Sequence, residues 1–240
     1  MATRQHATLQ KPGLQSWIPA RLNEMLAADP AGARPIHAAI SIALIMMYGG
    51  AMGSFGLWEN GSSANNWLQV LYSAVKVPLL LGATFALSLP CFFVFNAIAG
   101  VAGDFREVMK TLVATQSPLS VLLGSLSPLT LMMYASGGGY LTGVLFNAAM
   151  FAAASLGILP VVRRNYRLLI RRNPTHRRMA ALWMLLYSFV GIQMGWSLRP
   201  FIGDPNNVTE FFRSNGWGNA YVVILEILMN ATTLSTAYGS

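Results

Sequence analysis

Few side chains in this sequence could support ionic or acid–base chemistry within a membrane. Residues 187–213, YSFVGIQMGWSLRPFIGDPNNVTEFFR, begin as an apolar helix and end in a polar cluster that includes Arg199 and Asp204. The other candidates are Lys76, which we expect to reach the membrane surface from the entrance of a second apolar segment, and Glu226 near the C-terminus. Ionisable residues within membranes are costly and often mark a binding site or an ion pathway. Convergence of these four side chains would indicate a site, and separate exposure would indicate anchors.

The motifs that membrane hydrolases and metalloenzymes use are absent from the sequence. It contains no His-Glu-x-x-His pair, no Gly-x-Ser-x-Gly elbow and no phosphate-cradling glycine loop. His6, His37 and His176 are far apart, and a lone cysteine, Cys91, excludes an intrachain disulfide and a cysteine-based metal cluster. We expect His176 to be an ordinary loop residue and Cys91 to be a buried thiol. The sequence therefore predicts no catalytic, cofactor-binding or metal-binding residue.

The polar cluster at residues 187–213 is also rich in aromatic residues. Aromatic side chains at a helix end are typical of a belt at the membrane interface, from which Arg199 could extend to head groups or pair with Asp204 or Glu210. A combination of Trp, Arg and Phe is equally typical of a protein-binding hot spot. Both an anchor and a partner-binding platform fit, with these candidate residues: Trp196, Arg199, Phe201, Asp204, Phe212 and Trp217.

The composition indicates a membrane protein, since 54% of the residues are hydrophobic and only 10% are charged. The apolar runs are continuous, unlike the alternating strands of a β-barrel. Five of them reach the roughly 20 residues that a spanning helix needs. The sequence predicts an all-α polytopic transmembrane helix bundle with spans at about 36–58, 77–99, 117–137, 140–162 and 180–202.

The segments that flank the predicted spans differ in charge. Residues 1–35, 100–116 and 162–179 hold thirteen of the sixteen Lys and Arg residues. With five spans these segments fall on one side, which the positive-inside rule makes cytoplasmic, together with the N-terminus. Residues 203–240 are then a non-cytoplasmic loop and a short hydrophobic helix at 220–234, which lies on or dips into the membrane unless it forms a sixth span.

The N-terminal segment contains a further helix pattern, SWIPARLNEMLAADP. It predicts a short amphipathic helix that lies at the membrane interface or packs against the protein's own cytoplasmic loops. Its apolar face is formed by Trp17, Ile18, Leu22, Met25 and Leu26.

The segment RRNYRLLIRRNPTHRR is the most basic part of the chain. Its charges would attract anionic lipid head groups, at about 1 kcal/mol per residue near the surface. Positive-inside bias alone also produces such loops, and an acidic protein partner is a third interpretation; we do not expect nucleic acid. The candidate head-group ligands are Arg163, Arg164, Arg167, Arg171, Arg172, Arg177 and Arg178. Elsewhere in the chain, Asp104 and Glu107 lie next to Arg106 and Lys110 and are expected on an ordinary solvated helix face.

Small residues and prolines recur within the spans. Small residues at helix-packing spacing allow close approach within the bundle or between subunits; they are Gly49, Gly53, Ala149, Ala153, Gly157, Gly191 and Gly195. Prolines tend to kink helices, and broken helices occur in transporters; they are Pro78, Pro90, Pro118, Pro128 and Pro160.

Three stretches carry a family resemblance: residues 187–213, YSAVKVPLLLGATFALSLPCFFVFNAIAG and LFNAAMFAAASLGILPVVRRNYR. Together they resemble an uncharacterised family of polytopic bacterial inner-membrane proteins, over about residues 40–225, with Gly-Trp-x-Leu-Arg-Pro-Phe-Ile-Gly as the most specific motif. The layout of a polar N-terminus and five spans is similar to the Yip1 superfamily. The resemblance implies a multi-pass protein of the bacterial inner membrane and supplies no catalytic residue.

These features favour a non-enzymatic structural or accessory subunit, scaffold or assembly factor of a larger membrane complex. Its expected partners are membrane lipids, with anionic head groups at residues 162–179, and other membrane protein subunits, without a cofactor. A small-solute transporter or channel is the first alternative. A lipid-modifying enzyme that uses Lys76, Glu59 and the Arg199 cluster is the second.

Overall fold

The structure is a computed structural model that describes residues 14–27, 35–203, 209–212 and 221–222, and only the backbone of 14–18. Within these ranges every element of regular secondary structure is an α-helix, apart from a 3-10 turn at Ala102–Asp104. The helices are α1 (Leu14–Ala27), α2 (Pro35–Gly53), α3 (Phe55–Glu59), α4 (Ala64–Ile98), α5 (Phe105–Ala114), α6 (Gln116–Ala135), α7 (Tyr140–Gly157), α8 (Leu159–Asn165), α9 (Arg167–Arg172) and α10 (Thr175–Ser197).

Among the described residues, five helical stretches are long and apolar enough to cross a membrane, which confirms the predicted all-α, multi-pass class and agrees with the five predicted spans. They are Pro35–Glu59, Ala64–Ile98, Ala102–Ala135, Tyr140–Asn165 and Thr175–Ser197. The predicted hydrophobic helix at 220–234 lies outside the described residues except for Tyr221 and Val222, which are helical.

The second span begins well before its predicted start. Helix α4 has 35 residues and begins at Ala64 instead of residue 77. Ser63 caps it, because its side chain accepts a hydrogen bond from the backbone N–H of Asn66. At 1.5 Å per residue the helix is about 50 Å long, so it extends beyond a hydrocarbon core of about 30 Å. Most of residues 59–76, which the prediction places between the first two spans, are therefore part of this helix.

The spans alternate in direction, which gives the bundle two ends. We call the end with the first turns of α2, α6 and α10 the basic end, since the arginines of α8 and α9 lie there. The other is the opposite end. Helix α2 packs between α4 and α6, α10 packs on α4, and α7 packs on α6.

Glycines allow the close contact between α2 and α4. A Cβ atom on Gly53 would lie 2.7 Å from the side chain of Ser73, and one on Gly49 would overlap the Ser73 carbonyl. These two residues thus serve packing within the bundle. Ala149 and Ala153 of α7, in contrast, are exposed.

The prolines interrupt the spans less than predicted. Pro78 and Pro90 lie inside the continuous helix α4, and Pro128 lies inside α6. Pro160 occupies the first turn of α8, where a missing N–H costs nothing. Because the long spans continue through their prolines, the structure gives no broken helix at α4 or α6.

The N-terminal helix packs on the protein itself, which is one of the two predicted alternatives. Met25 of α1 is buried. Arg164 donates hydrogen bonds to the carbonyl oxygens of Leu26 and Ala27, at 3.0 and 2.6 Å, and so caps the end of α1. The basic segment that contains Arg164 forms α8, α9 and the start of α10. The prediction of a loop in this segment is therefore wrong.

Candidate functional site

Lys76 lies inside the bundle near the opposite end. It is fully buried, and its Nζ donates a hydrogen bond of 2.7 Å to the carbonyl oxygen of Pro200. The amino nitrogen also lies 5.0 Å from the centre of the Phe211 ring, a cation–π distance. The prediction that Lys76 reaches the membrane surface is wrong. Because α4 begins at Ala64, Lys76 lies three turns inside it and faces the chain that follows α10.

Two further side chains of α4 bind the same chain segment. Gln69 Nε2 lies 3.1 Å from the carbonyl oxygen of Phe201 and 3.4 Å from that of Pro200. Ser73 Oγ donates to the Phe201 carbonyl as well. Gln69, Ser73 and Lys76 follow one another by four and three residues, so they share one helix face.

We call these three donors and the carbonyl groups of Pro200 and Phe201 the carbonyl latch. Both carbonyl groups lie just after the end of α10, and a cis peptide bond joins Arg199 to Pro200. Buried carbonyl groups outside a helix require donors from elsewhere, and unpaired ones are costly. The latch supplies those donors and holds the segment against α4.

The predicted anchor residues of this segment have different environments. The Cζ atom of Arg199 lies 3.4 Å from the centre of the Trp196 ring, so these two side chains stack on each other. Phe201 is partly buried in the core, whereas Phe212 is 55% exposed. Asp204, Trp217 and Glu226 lie outside the described residues.

The predicted convergence of four side chains stays a prediction, since Asp204 and Glu226 lie outside the described residues. Lys76 contacts the carbonyl oxygen of Pro200, the residue that follows Arg199, whereas the Arg199 side chain lies on Trp196. Sequence reasoning missed Gln69 and Ser73 of the latch. Their spacing to Lys76 along one helix face was the available signal.

A polar network lies within the spans at the junction of α2, α6 and α7. Asn147 accepts from the Tyr48 hydroxyl at 3.2 Å and donates to the Tyr134 oxygen at 2.8 Å. The Tyr134 hydroxyl in turn donates to the carbonyl of Met52 at 3.0 Å. All of these side chains are buried. The network was not predicted, because an amide carries no charge and a search for ionisable residues passes over it.

At the basic end, a buried histidine forms a pair with an aspartate carboxylate. His176 is fully buried, and its Nε2 lies 3.0 Å from Oδ2 of Asp104. The prediction of His176 as a loop residue is wrong, because it is buried in the first turn of α10. Asp104, in the 3-10 turn, keeps a side chain that is 38% exposed to solvent. Glu107 lies 3.7 Å from Arg172 and remains exposed. Cys91, expected to be buried, is exposed on α4.

The predicted head-group ligands do lie on the surface. Their side chains are exposed at the basic end, and only Arg164 and Arg172 have the protein contacts given above. The exposed set is Arg163, Arg164, Arg167, Arg171, Arg172, Arg177 and Arg178.

A cavity of about 640 Å³ also opens at the basic end, between α1, α2, α4, α5 and α6. This volume is within the range of about 300–1,000 Å³ that is typical of small-molecule sites. Its lining is mostly apolar, with Ile42, Leu81 and Phe85 among the wall residues, and it includes Glu24 and His37. This cavity could not be predicted from sequence, because residues of five helices line it.

Among the described residues, no group of three His, Cys, Asp or Glu side chains is placed to hold a metal ion. The chain matches no protein-family model, no curated protein and no solved structure. The carbonyl latch, the cavity and the exposed helix faces are therefore the features that bear on function.

Proposed function

We propose that the protein is a non-enzymatic accessory subunit or assembly scaffold of a larger complex in the bacterial inner membrane. The observation that carries this proposal is the outward face of α7. Four alanines are exposed there within two turns: Ala148, Ala149, Ala152 and Ala153. In a bilayer, faces of small residues allow another helix to approach closely, and they are common at helix interfaces.

The burial of the spans agrees with a lateral partner. In the apolar windows of the spans Tyr140–Asn165 and Thr175–Ser197, 17% and 11% of the residues are buried, against 44% for Pro35–Glu59. The two spans therefore present broad faces outside the bundle. A membrane protein subunit with a complementary helix fits the small-residue face of α7 better than the lipid chains, which pack well on larger side chains.

The opposite end offers a second element of the proposed platform. Trp58, Trp67 and Phe212 are each more than half exposed there. Exposed aromatic side chains on a fixed support are typical of partner-binding surfaces, and the carbonyl latch fixes the segment nearest to Phe212. At the basic end, we propose that the seven exposed arginines bind anionic head groups.

The proposal is tested by mild-detergent extraction of the native protein, followed by sizing chromatography and mass spectrometry. We expect a defined complex with fixed stoichiometry. The double substitution Ala149→Phe and Ala153→Phe should release the protein from it, because the added rings hold the partner helix away. Ala181→Phe, at an exposed alanine of α10, is the matched control and should leave the complex intact. A wild-type protein that migrates alone would refute the proposal.

A small-solute transporter is the second candidate, and buried hydroxyl groups favour it. Thr84 and Ser88 of α4 and Ser127 of α6 are buried and have no hydrogen-bond partner among the described residues. Unpaired polar groups between spans can mark a solute path. Flux assays in liposomes test this candidate. Uptake abolished by Ser127→Val would support it, and an absence of flux for ions and small solutes would reject it. The contacts of Lys76 and Arg199 lend no support to a lipid-modifying enzyme.

A further inference from the structure

The cavity at the basic end combines an apolar body with a polar margin. Ile42 and Val113 line the body and are 52% and 46% exposed. Since both belong to spans, the cavity opens sideways on the surface that the membrane covers. Its ligand can therefore enter from the lipid phase.

Glu24 lies at the polar margin, and Arg21, beside the cavity, forms an ion pair with it. The Glu24 carboxylate accepts from Arg21 at 2.7 Å and lies 3.2 Å from Nε2 of His37. The Glu24 side chain is still 47% exposed, whereas that of His37 is 11% exposed. A cation at the margin would thus meet Glu24, and an anionic group beside it would meet Arg21.

Donor groups lie between this margin and the apolar body. The hydroxyl groups of Ser41 and Ser117 face each other at 3.5 Å, near the limit of a hydrogen bond, and both line the cavity. Gln116 lines it too and accepts from Tyr187 at 3.4 Å. Ester and phosphate oxygens of a ligand would accept hydrogen bonds from such groups.

We propose that the cavity binds one zwitterionic phospholipid with a primary ammonium head group. An acyl chain occupies the apolar body between α2 and α4, and the ester oxygens lie at Ser41 and Ser117. The ammonium pairs with Glu24 while the phosphate lies at Arg21. A primary ammonium donates hydrogen bonds to a carboxylate, which a quaternary ammonium cannot do, so the site selects ethanolamine over choline head groups.

Native mass spectrometry of the full-length protein tests the proposal. The protein is reconstituted with equal amounts of phosphatidylethanolamine and phosphatidylcholine, which carry the same net charge, and the retained lipid is identified after gentle release. We expect one retained phosphatidylethanolamine, favoured roughly fivefold over phosphatidylcholine, as expected of one half-exposed ion pair.

Two substitutions separate the apolar body from the head-group contact. A Cβ at Gly82 would meet no described atom within 4 Å and would project into the cavity. Gly82→Leu should therefore fill it without a clash and lower lipid retention at least about fivefold, while the helix gains a better helix former. Ala86→Leu, at an exposed position of α4, adds volume outside the cavity and should retain lipid like the wild type.

Glu24→Gln should keep one bound lipid and lose the preference for the ethanolamine head group. Equal lipid retention by the Gly82→Leu and Ala86→Leu proteins would overturn the proposal. So would a wild-type protein that retains phosphatidylcholine as strongly as phosphatidylethanolamine, because Glu24 would then not be the head-group contact.

Discussion

Lys76 Nζ lies 2.7 Å from the carbonyl oxygen of Pro200, a residue 124 positions later in the chain. This hydrogen bond ties the opposite end of α4 to the segment that follows α10. It explains why a lysine can be buried in a long apolar helix, since a buried amino group needs acceptors close by. The motif Gly-Trp-Ser-Leu-Arg-Pro-Phe-Ile-Gly thus contributes carbonyl groups to the fold as well as side chains to the surface.

The latch predicts a loss of stability on Lys76→Met. The substitution removes a donor from a buried carbonyl group, which we expect to cost about 1.5–3 kcal/mol, as for a hydrogen bond from a charged group. Thermal unfolding in detergent measures the loss. Limited proteolysis should also show faster cleavage near Phe201. Lys110→Met, at an exposed lysine of α5, should change neither property; a Lys76→Met protein as stable as this control would contradict the role of the latch.

Alanine substitutions at two glycines should change stability in opposite directions, because Gly53 lies in the contact between α2 and α4 and Gly82 faces open space. Gly53→Ala places a methyl group 2.7 Å from Ser73 and 2.9 Å from the Gln69 carbonyl, so it should destabilise the protein by about 1–3 kcal/mol. Gly82→Ala meets open space and should stabilise α4 by up to about 1 kcal/mol. Melting temperatures of the two variants test this. Equal shifts would mean that the close approach at Gly53 is not required.

The hydrogen-bond network around Asn147 predicts that Asn147→Leu lowers the stability of the protein. The substitution keeps the size of the side chain but leaves the hydroxyl groups of Tyr48 and Tyr134 without their amide partner. Because polar contacts between membrane helices are worth about 0.6–1.7 kcal/mol each, we expect a loss of about 1–3 kcal/mol. Unfolding in detergent measures it, with Ala148→Leu on the exposed face of α7 as the control. A stability unchanged in Asn147→Leu would show that the network is dispensable.

If the exposed arginines bind anionic lipid, their replacement should reduce the amount of anionic lipid that the protein retains. Replacement of Arg163, Arg167 and Arg171 by Gln leaves the contacts of Arg164 and Arg172 in place and removes three charges. At about 1 kcal/mol per charge, this should weaken binding by roughly 3 kcal/mol, and added salt should weaken wild-type binding likewise. Phosphatidylglycerol retained after purification is the measurement. Lys at the same positions should preserve it, and a triple Gln variant with full retention would contradict lipid binding.

The number of spans could be predicted from sequence because hydropathy over about 20 residues reflects the cost of placing a chain in lipid. The start of α4 could not. Residues 64–76, ANNWLQVLYSAVK, mix polar and apolar types, and they fold as helix because Gln69, Ser73 and Lys76 find acceptors in a distant segment. Hydropathy measures the preference of a segment for lipid or water, and it carries no information about such a partner.

The same limit applies at the basic end. The composition around His176 indicates a polar loop, but the side chain is buried because Asp104 lies 72 positions earlier and 3.0 Å away. Cys91 shows the reverse case. Its apolar neighbours suggest burial, and yet it is exposed on α4, since in a span an apolar residue can face lipid as readily as protein.

Photo-crosslinking in native membranes tests the central proposal most directly. A photoreactive amino acid is placed at Ala149 or, as the control, at Ala181, and the products are identified by mass spectrometry. If the small-residue face of α7 contacts another subunit, Ala149 should give one membrane protein adduct in high yield, Ala181 should not, and Ala153→Phe should abolish the adduct. Lipid adducts alone at both positions would contradict a subunit interface on α7.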